Sequence, residues 1–236
     1  MTEPHESRRH FLLAAGTAGA GLLLATSGPG AAYADEKEVG AVEDLMREHG
    51  VLRRALLVYA ETAAKLRAPK ADVDPAALHD TAKLFRTFGE DYHERQLEEA
   101  HIFPVVKKAG GPAAAYPDIL TAQHNRGREI TDYVLSVTGK GKIAAAQRAP
   151  LAHVFETFVA MYQNHAARED TIVFPAWQDA LSEKQIDELG DQFEEIEHRM
   201  FGKDGFEDAV KKIAAVEQRL GYADLAQFTA PPPPHA

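Results

Sequence analysis

Apolar residues recur along this chain at helical spacing, in long runs cut by proline and glycine. No stretch alternates apolar and polar residues with the period of two that a half-buried strand needs. The pattern predicts a first helix from about Glu38 to Leu66, ending before Pro69. Asp74-Pro75 opens a second, with Asp as N-cap and Pro at the first helical position. It continues to about Lys108 and stops at Gly110-Gly111-Pro112. A third runs from near Pro117 to Gly139, and a fourth from near Pro150 to Leu181, with Pro175 close to its end. Ser182-Glu183-Lys184-Gln185 fits a capping box opening a fifth, Gly202 to Gly205 breaks it, and a last helix closes at Gly221. Pro231–Pro234 form an extended, disordered tail. Four long helices joined by short loops predict an all-α, up-down-up-down four-helix bundle with additional C-terminal helices.

The helical pattern repeats in halves. Phe-Pro occurs only at Phe103-Pro104 and Phe174-Pro175, and six residues before each proline stands a glutamate, Glu98 and Glu169. Behind these stand His93 and His165. The helix before each carries a histidine as well: His49 in Glu48-His49-Gly50 and His124 in Gln123-His124-Asn125. The separation from His49 to His93 is 44 residues and from His124 to His165 is 41. A duplicated helix pair folded about a pseudo-two-fold axis brings all four helices to one central site.

Composition narrows the chemistry. The 236 residues contain no cysteine, which excludes disulfides, thiolate zinc sites, iron–sulfur clusters and cysteine nucleophiles. A metal must therefore sit on His, Asp, Glu or carbonyl oxygen. The formal net charge is −10, and it stays there without residues 1–34, whose Glu3, Glu6, Arg8 and Arg9 cancel. An acidic chain repels phosphate backbones, so no nucleic acid partner is expected. Ser7-Arg8-Arg9-His10-Phe11-Leu12 precedes an apolar stretch through Ala25, and Ala32-Tyr33-Ala34 offers a small-residue cleavage site. The paired arginines resemble a twin-arginine export signal over residues 1–34. The stretch, broken by Gly16, Gly19 and Gly21, is a poor permanent membrane span. A periplasmic or extracellular chain starting near Asp35 is expected, with no membrane attachment once the signal is removed. Its helical domain would occupy 35–222 and its Pro-rich tail 223–236.

Four imidazoles and two carboxylates suit a pair of non-haem iron ions, each carboxylate bridging both, and the same set accepts manganese or zinc. The expected metal residues are His49, His93, Glu98, His124, His165 and Glu169. His165 and Glu169 are four apart and share a helix face. His93 and Glu98 are five apart, about 140° round an α-helix beyond a full turn, a misfit unless the helix widens into a π-bulge. Glu94, four before Glu98, is the alternative to His93.

Tyr92-His93-Glu94-Arg95-Gln96-Leu97-Glu98 through Phe103-Pro104 resembles the second-helix motif of hemerythrin-like (HHE cation-binding) proteins, and Asn164-His165 through Phe174-Pro175 their fourth. Gln123-His124-Asn125-Arg126-Gly127-Arg128, Glu48-His49 and Phe201-Gly202-Lys203-Asp204-Gly205-Phe206 resemble exported bacterial members. The resemblance spans about Val39 to Gly221 and implies two iron ions. Oxygen-carrying hemerythrins place two histidines four apart on the third helix; here Arg128 takes the second place, where a guanidinium is a poor ligand. Water, Glu129, Glu197 or His198 would have to fill it. That departure counts against reversible oxygen carriage.

Glu94, Glu99 and Asp170 read as solvated or outer-layer groups, and His79 and His153 as surface residues. Glu98-Glu99-Ala100-His101 and Glu195-Ile196-Glu197-His198 both have the Glu-x-x-His spacing of ferritin-like di-iron proteins. A ferritin-like oxidase or iron-binding protein built on them leaves His49, His124 and His165 without a role. The expected function is a di-iron protein that binds or reacts with dioxygen, peroxide or nitric oxide. The competing role is a non-catalytic oxygen or iron store or sensor. No redox partner is legible.

Overall fold

The computed structural model describes residues 39–68 and 71–234. The export signal expected over 1–34 lies outside them. Among the described residues the regular structure is all helical, with no strand. No helix there is long and apolar enough to cross a membrane.

The first helix, α1 (Ala41–Arg67), buries Leu45, His49, Leu52, Leu56, Tyr59, Ala63 and Leu66. That is the alternating three-and-four spacing of one helix face, with His49 standing where an aliphatic residue would otherwise sit. The next long helix is composite. Asp74 caps α2 (Pro75–Leu84) by accepting from the Ala76 and Ala77 N–H groups. The chain continues without a break as a π-helix, π1 (Phe85–Ile102), and returns to α-geometry in α3 (Phe103–Ala109). A 3-10 turn over Pro112–Ala115 leads to α4 (Pro117–Thr138), which buries Leu120, His124, Gly127, Thr131, Val134 and Thr138 on one face.

The fourth long helix is composite too: α5 (Ala145–Arg168), a π turn π2 (Glu169–Val173) and α6 (Phe174–Asp179). It begins earlier than the expected Pro150 start. Gln147 reaches back to the Ala144 N–H, and Pro150 lies inside the helix, where it forfeits the bond its missing N–H would give. Ser182 and Gln185 form the capping box of α7 (Glu183–Phe201). Gly202 ends it in the left-handed region at φ 68°, and α8 (Gly205–Leu220) follows. A 3-10 turn, Leu225–Phe228, interrupts the tail, and 229–234 have no regular structure.

Packing follows the apolar faces. α1 lies along α5, α2 and π1 lie against α4, and α4 also touches α5. Below the site, Tyr59 stacks on Phe155 at 4.4 Å between ring centres, and Phe158 meets Phe85 edge-on at 4.9 Å. Each such buried side chain contributes about 1.5–3 kcal/mol. α8 covers α1 and α2, while α7 covers α1 and π1. Phe193 of α7 stacks against Trp177 at 6.0 Å.

Candidate metal centre

Both turns that carry the glutamates end alike. The Phe103 N–H bonds the Glu98 carbonyl and the Phe174 N–H bonds the Glu169 carbonyl, each five residues back. Proline follows each phenylalanine and has no N–H to continue the α-ladder, so the register can change there. With i→i+5 bonding the turn closes over five residues. His93 and Glu98 therefore share a face, and His93 Nε2 lies 3.3 Å from Glu98 Oε1. The widened helix thus puts His93 and Glu98 together despite their five-residue spacing. Glu94 accepts from the Tyr162 hydroxyl at 2.7 Å and from Arg128 at 3.2 Å, and lies beside Glu99 and His124.

The structure brings His49, His93, Glu98, His124, His165 and Glu169 into one buried cluster, each of them 3% exposed or less. The imidazoles face each other in pairs. His49 Nε2 and His93 Nε2 are 3.0 Å apart, as are His124 Nε2 and His165 Nε2. The carboxylates span the two pairs. Glu98 Oε1 lies 3.3 Å from His93 and 4.0 Å from His49, while its Oε2 lies 3.3 Å from His124. Glu169 Oε2 lies 3.5 Å from His49, and its Oε1 lies 2.9 Å from His165 and 3.9 Å from His124. Neighbouring donors around one ion with bonds of about 2.1 Å sit about 3–3.4 Å apart, and the spacings here run from 2.9 to 4.0 Å.

The outer ring nitrogens are all held. His49 Nδ1 donates to Asp170 at 2.7 Å, His124 Nδ1 to Glu99 at 2.8 Å, His93 Nδ1 to Glu48 at 2.5 Å and His165 Nδ1 to the Gln123 amide oxygen at 2.9 Å. A proton kept on Nδ1 leaves the Nε2 lone pair free and aimed at the centre. Phe174 stacks on the His49 ring at 5.4 Å and Phe103 on the His124 ring at 5.5 Å, so the repeated Phe-Pro steps clamp the two rings from outside.

Both oxygens of Glu98 and both of Glu169 are buried, and what faces them is the imidazole nitrogens of the cluster. Burial would push the Glu98 carboxyl up, but His93 and His124 hold it well below its usual range. Burial would likewise lower His93 and His124. The Glu98 and Glu48 carboxylates outweigh it at His93, and Glu94, Glu98 and Glu99 lift His124 to about 10. Without a cation, protons on these imidazoles are what balance the carboxylates.

The residues held in reserve for the missing third-helix histidine do not reach the cluster. Glu129 is exposed and pairs with Arg126. Glu197 accepts from the Phe206 N–H at the start of α8, and His198 is exposed. His101 lies against Phe193, away from the cluster, so the Glu-x-x-His pairs do not converge. Arg128 instead binds Glu94 and, at 2.6 Å, Glu99. The roles of Glu48, Gln123 and Arg53 were not read from the sequence, although each occupies a repeat position. An acid or amide precedes both odd-helix histidines, an acid follows both glutamates, and arginine stands four after His49 and after His124. Asp170 and Glu99, read as solvated or outer-layer groups, prove to be the outer partners of His49 and His124.

The profile of the hemerythrin HHE cation binding domain matches residues 40–177. Uncharacterized proteins of Mycobacterium tuberculosis and of Mycobacterium bovis are 43% identical to the chain over 234 residues, covering 94% of it and 90% of their own length. No solved structure matches it.

Proposed function

Because the chain belongs to the hemerythrin HHE cation-binding family, we propose that it is an exported protein whose buried histidines and carboxylates hold two non-haem iron ions that meet a small oxidant. His49, His93, Glu98 Oε1 and Glu169 Oε2 would hold one ion, and His124, His165, Glu98 Oε2 and Glu169 Oε1 the other. The observation that carries this reading is the convergence of four buried carboxylate oxygens and four imidazole Nε2 atoms on one centre. Gathering so many buried polar groups is costly, and a cation among them would replace the imidazole protons that otherwise balance the carboxylates. On this reading the long helices form the up-down-up-down bundle expected of the repeat, with one ligand-bearing helix from each quarter.

When ferrous, the ions supply the electrons that dioxygen, peroxide or nitric oxide accepts. The chain supplies the surroundings. A small cavity reaches the cluster between Leu52, Leu56 and Ala166, with Arg53 at its rim and Tyr162 and Glu94 on its wall. So small a cavity favours a small oxidant over a larger polar substrate. Arg128 faces Glu94 and Glu99 and not the cluster, so the ligand set of a reversible oxygen carrier is incomplete. That favours reaction over carriage.

Protein expressed with ample iron is expected to contain two irons per chain by metal analysis. No metal, or a single zinc, would sink the proposal. Mixing the anaerobic ferrous protein with each oxidant should produce an absorbance change with at least one. Silence with all three would leave a store as the better reading. Export through Arg8-Arg9 is tested by replacing both with lysine, which should retain the precursor in the cytoplasm; unchanged export would refute the signal.

A further inference from the structure

Around the cluster the two halves place like partners behind His49 and His124 but unlike ones behind His93 and His165. Arg53, four after His49, pairs with Asp170, which accepts from His49. Arg128, four after His124, pairs with Glu99, which accepts from His124. These contacts are equivalent: imidazole, acid, guanidinium in both. The remaining two are not. His93 donates to Glu48, a fully buried carboxylate that also accepts from the Tyr92 hydroxyl at 3.0 Å. His165 donates to Gln123, a half-buried neutral amide.

An acceptor carboxylate draws the Nδ1 proton toward itself and leaves the opposite nitrogen richer in electrons; an amide oxygen draws it less. We propose that the metal pair is lopsided by construction: the His49–His93 position binds its ion more tightly and fills first, and the difference between Glu48 and Gln123 sets that order. The inference rests on the two-ion reading above. It identifies Glu48 and Gln123 as positioning residues that act through His93 and His165 without touching a metal.

The test is titration of the metal-free full chain with Co(II) against a competing chromogenic chelator, following cobalt absorbance. Wild type should take up two ions in steps about tenfold or more apart, the range over which outer partners act. Glu48→Gln should weaken the tighter step by about tenfold and leave the weaker step within a few-fold. Gln123→Glu, at a half-buried position where folding is less at stake, should tighten the weaker step by about tenfold and leave the first alone. The double exchange should restore two separated steps. Two equal steps in wild type would overturn the proposal while leaving the two-ion reading intact. So would a Gln123→Glu variant whose weaker step does not move, or a Glu48→Gln variant whose weaker step falls as far as its tighter one. A total below two ions would overturn the two-ion reading, and this proposal with it.

Discussion

Glu169 and Glu99 stand one repeat position apart, and their contrast tests the division between candidate ligand and outer partner. Glu169 faces both imidazole pairs with its two buried oxygens, whereas Glu99 touches the cluster through His124 Nδ1. Glu169→Gln keeps the size and loses an anionic oxygen from each ion position, so most bound metal should be lost by elemental analysis. Glu99→Gln still accepts a hydrogen bond and should keep two ions with affinity lowered about 10–100-fold. Full metal in Glu169→Gln with loss in Glu99→Gln would mean the wrong face has been assigned. Glu90 is a buried acid outside the cluster. Burial, reinforced by the nearby Glu94 carboxyl and opposed by the Thr131 hydroxyl and Arg86, raises it from 4.5 to about 7. The folded state therefore holds this proton more tightly than the unfolded chain. The stabilisation is complete below about pH 4.5 and disappears as pH rises through 7. Glu90→Gln carries no such loss. Measured by denaturant unfolding, its stability relative to wild type should rise by about 2–3 kcal/mol between pH 5 and pH 8.5. A constant difference across that range would refute the assignment.

At the scale of the helix, the π segments decide which side chains converge. In π1 the five-residue turn turns His93 and Glu98 to one face, and π2 places Asp170 and Phe174 against His49 on the neighbouring helix. Close approach of α4 to α5 depends on Gly127. A Cβ there would lie 2.1 Å from the Tyr162 hydroxyl oxygen and 2.9 Å from the ring carbon that bears it. Gly127→Ala must push Tyr162 aside and break its bond to Glu94, costing about 1–3 kcal/mol as an overpacked core position. Tyr162→Phe in the same chain removes the nearest clashing atom and should recover part of that loss in thermal unfolding. An unchanged melting temperature in the single variant would show that the helices are not pressed together there.

For the whole molecule, the cluster ties the first and last long helices to the two between them, so metal binding and folding are linked. A ligand present at a thousand times its dissociation constant adds about 4 kcal/mol. On the two-iron reading, removing the metal with a strong chelator should therefore lower the unfolding temperature of the helical domain in a single transition, and restoring iron should raise it again. A transition indifferent to chelation would break the linkage. Much of this was legible from residue order. Helix limits followed from Asp74-Pro75, the Ser182 capping box and the glycines at 202 and 221, because caps and breakers act within a few residues. The candidate ligands followed from the duplicated His, Glu and Phe-Pro string, because a repeat preserves position even where identity fades. Order along the chain could not say which way the five-residue spacing would turn, since that depended on how the helix widened ahead of Pro104. Nor could it pair Glu48 with His93 or Asp170 with His49, partners 45 and 121 residues apart. Those contacts form only when separate helices close on one another, and the packing of their apolar faces fixes that registry.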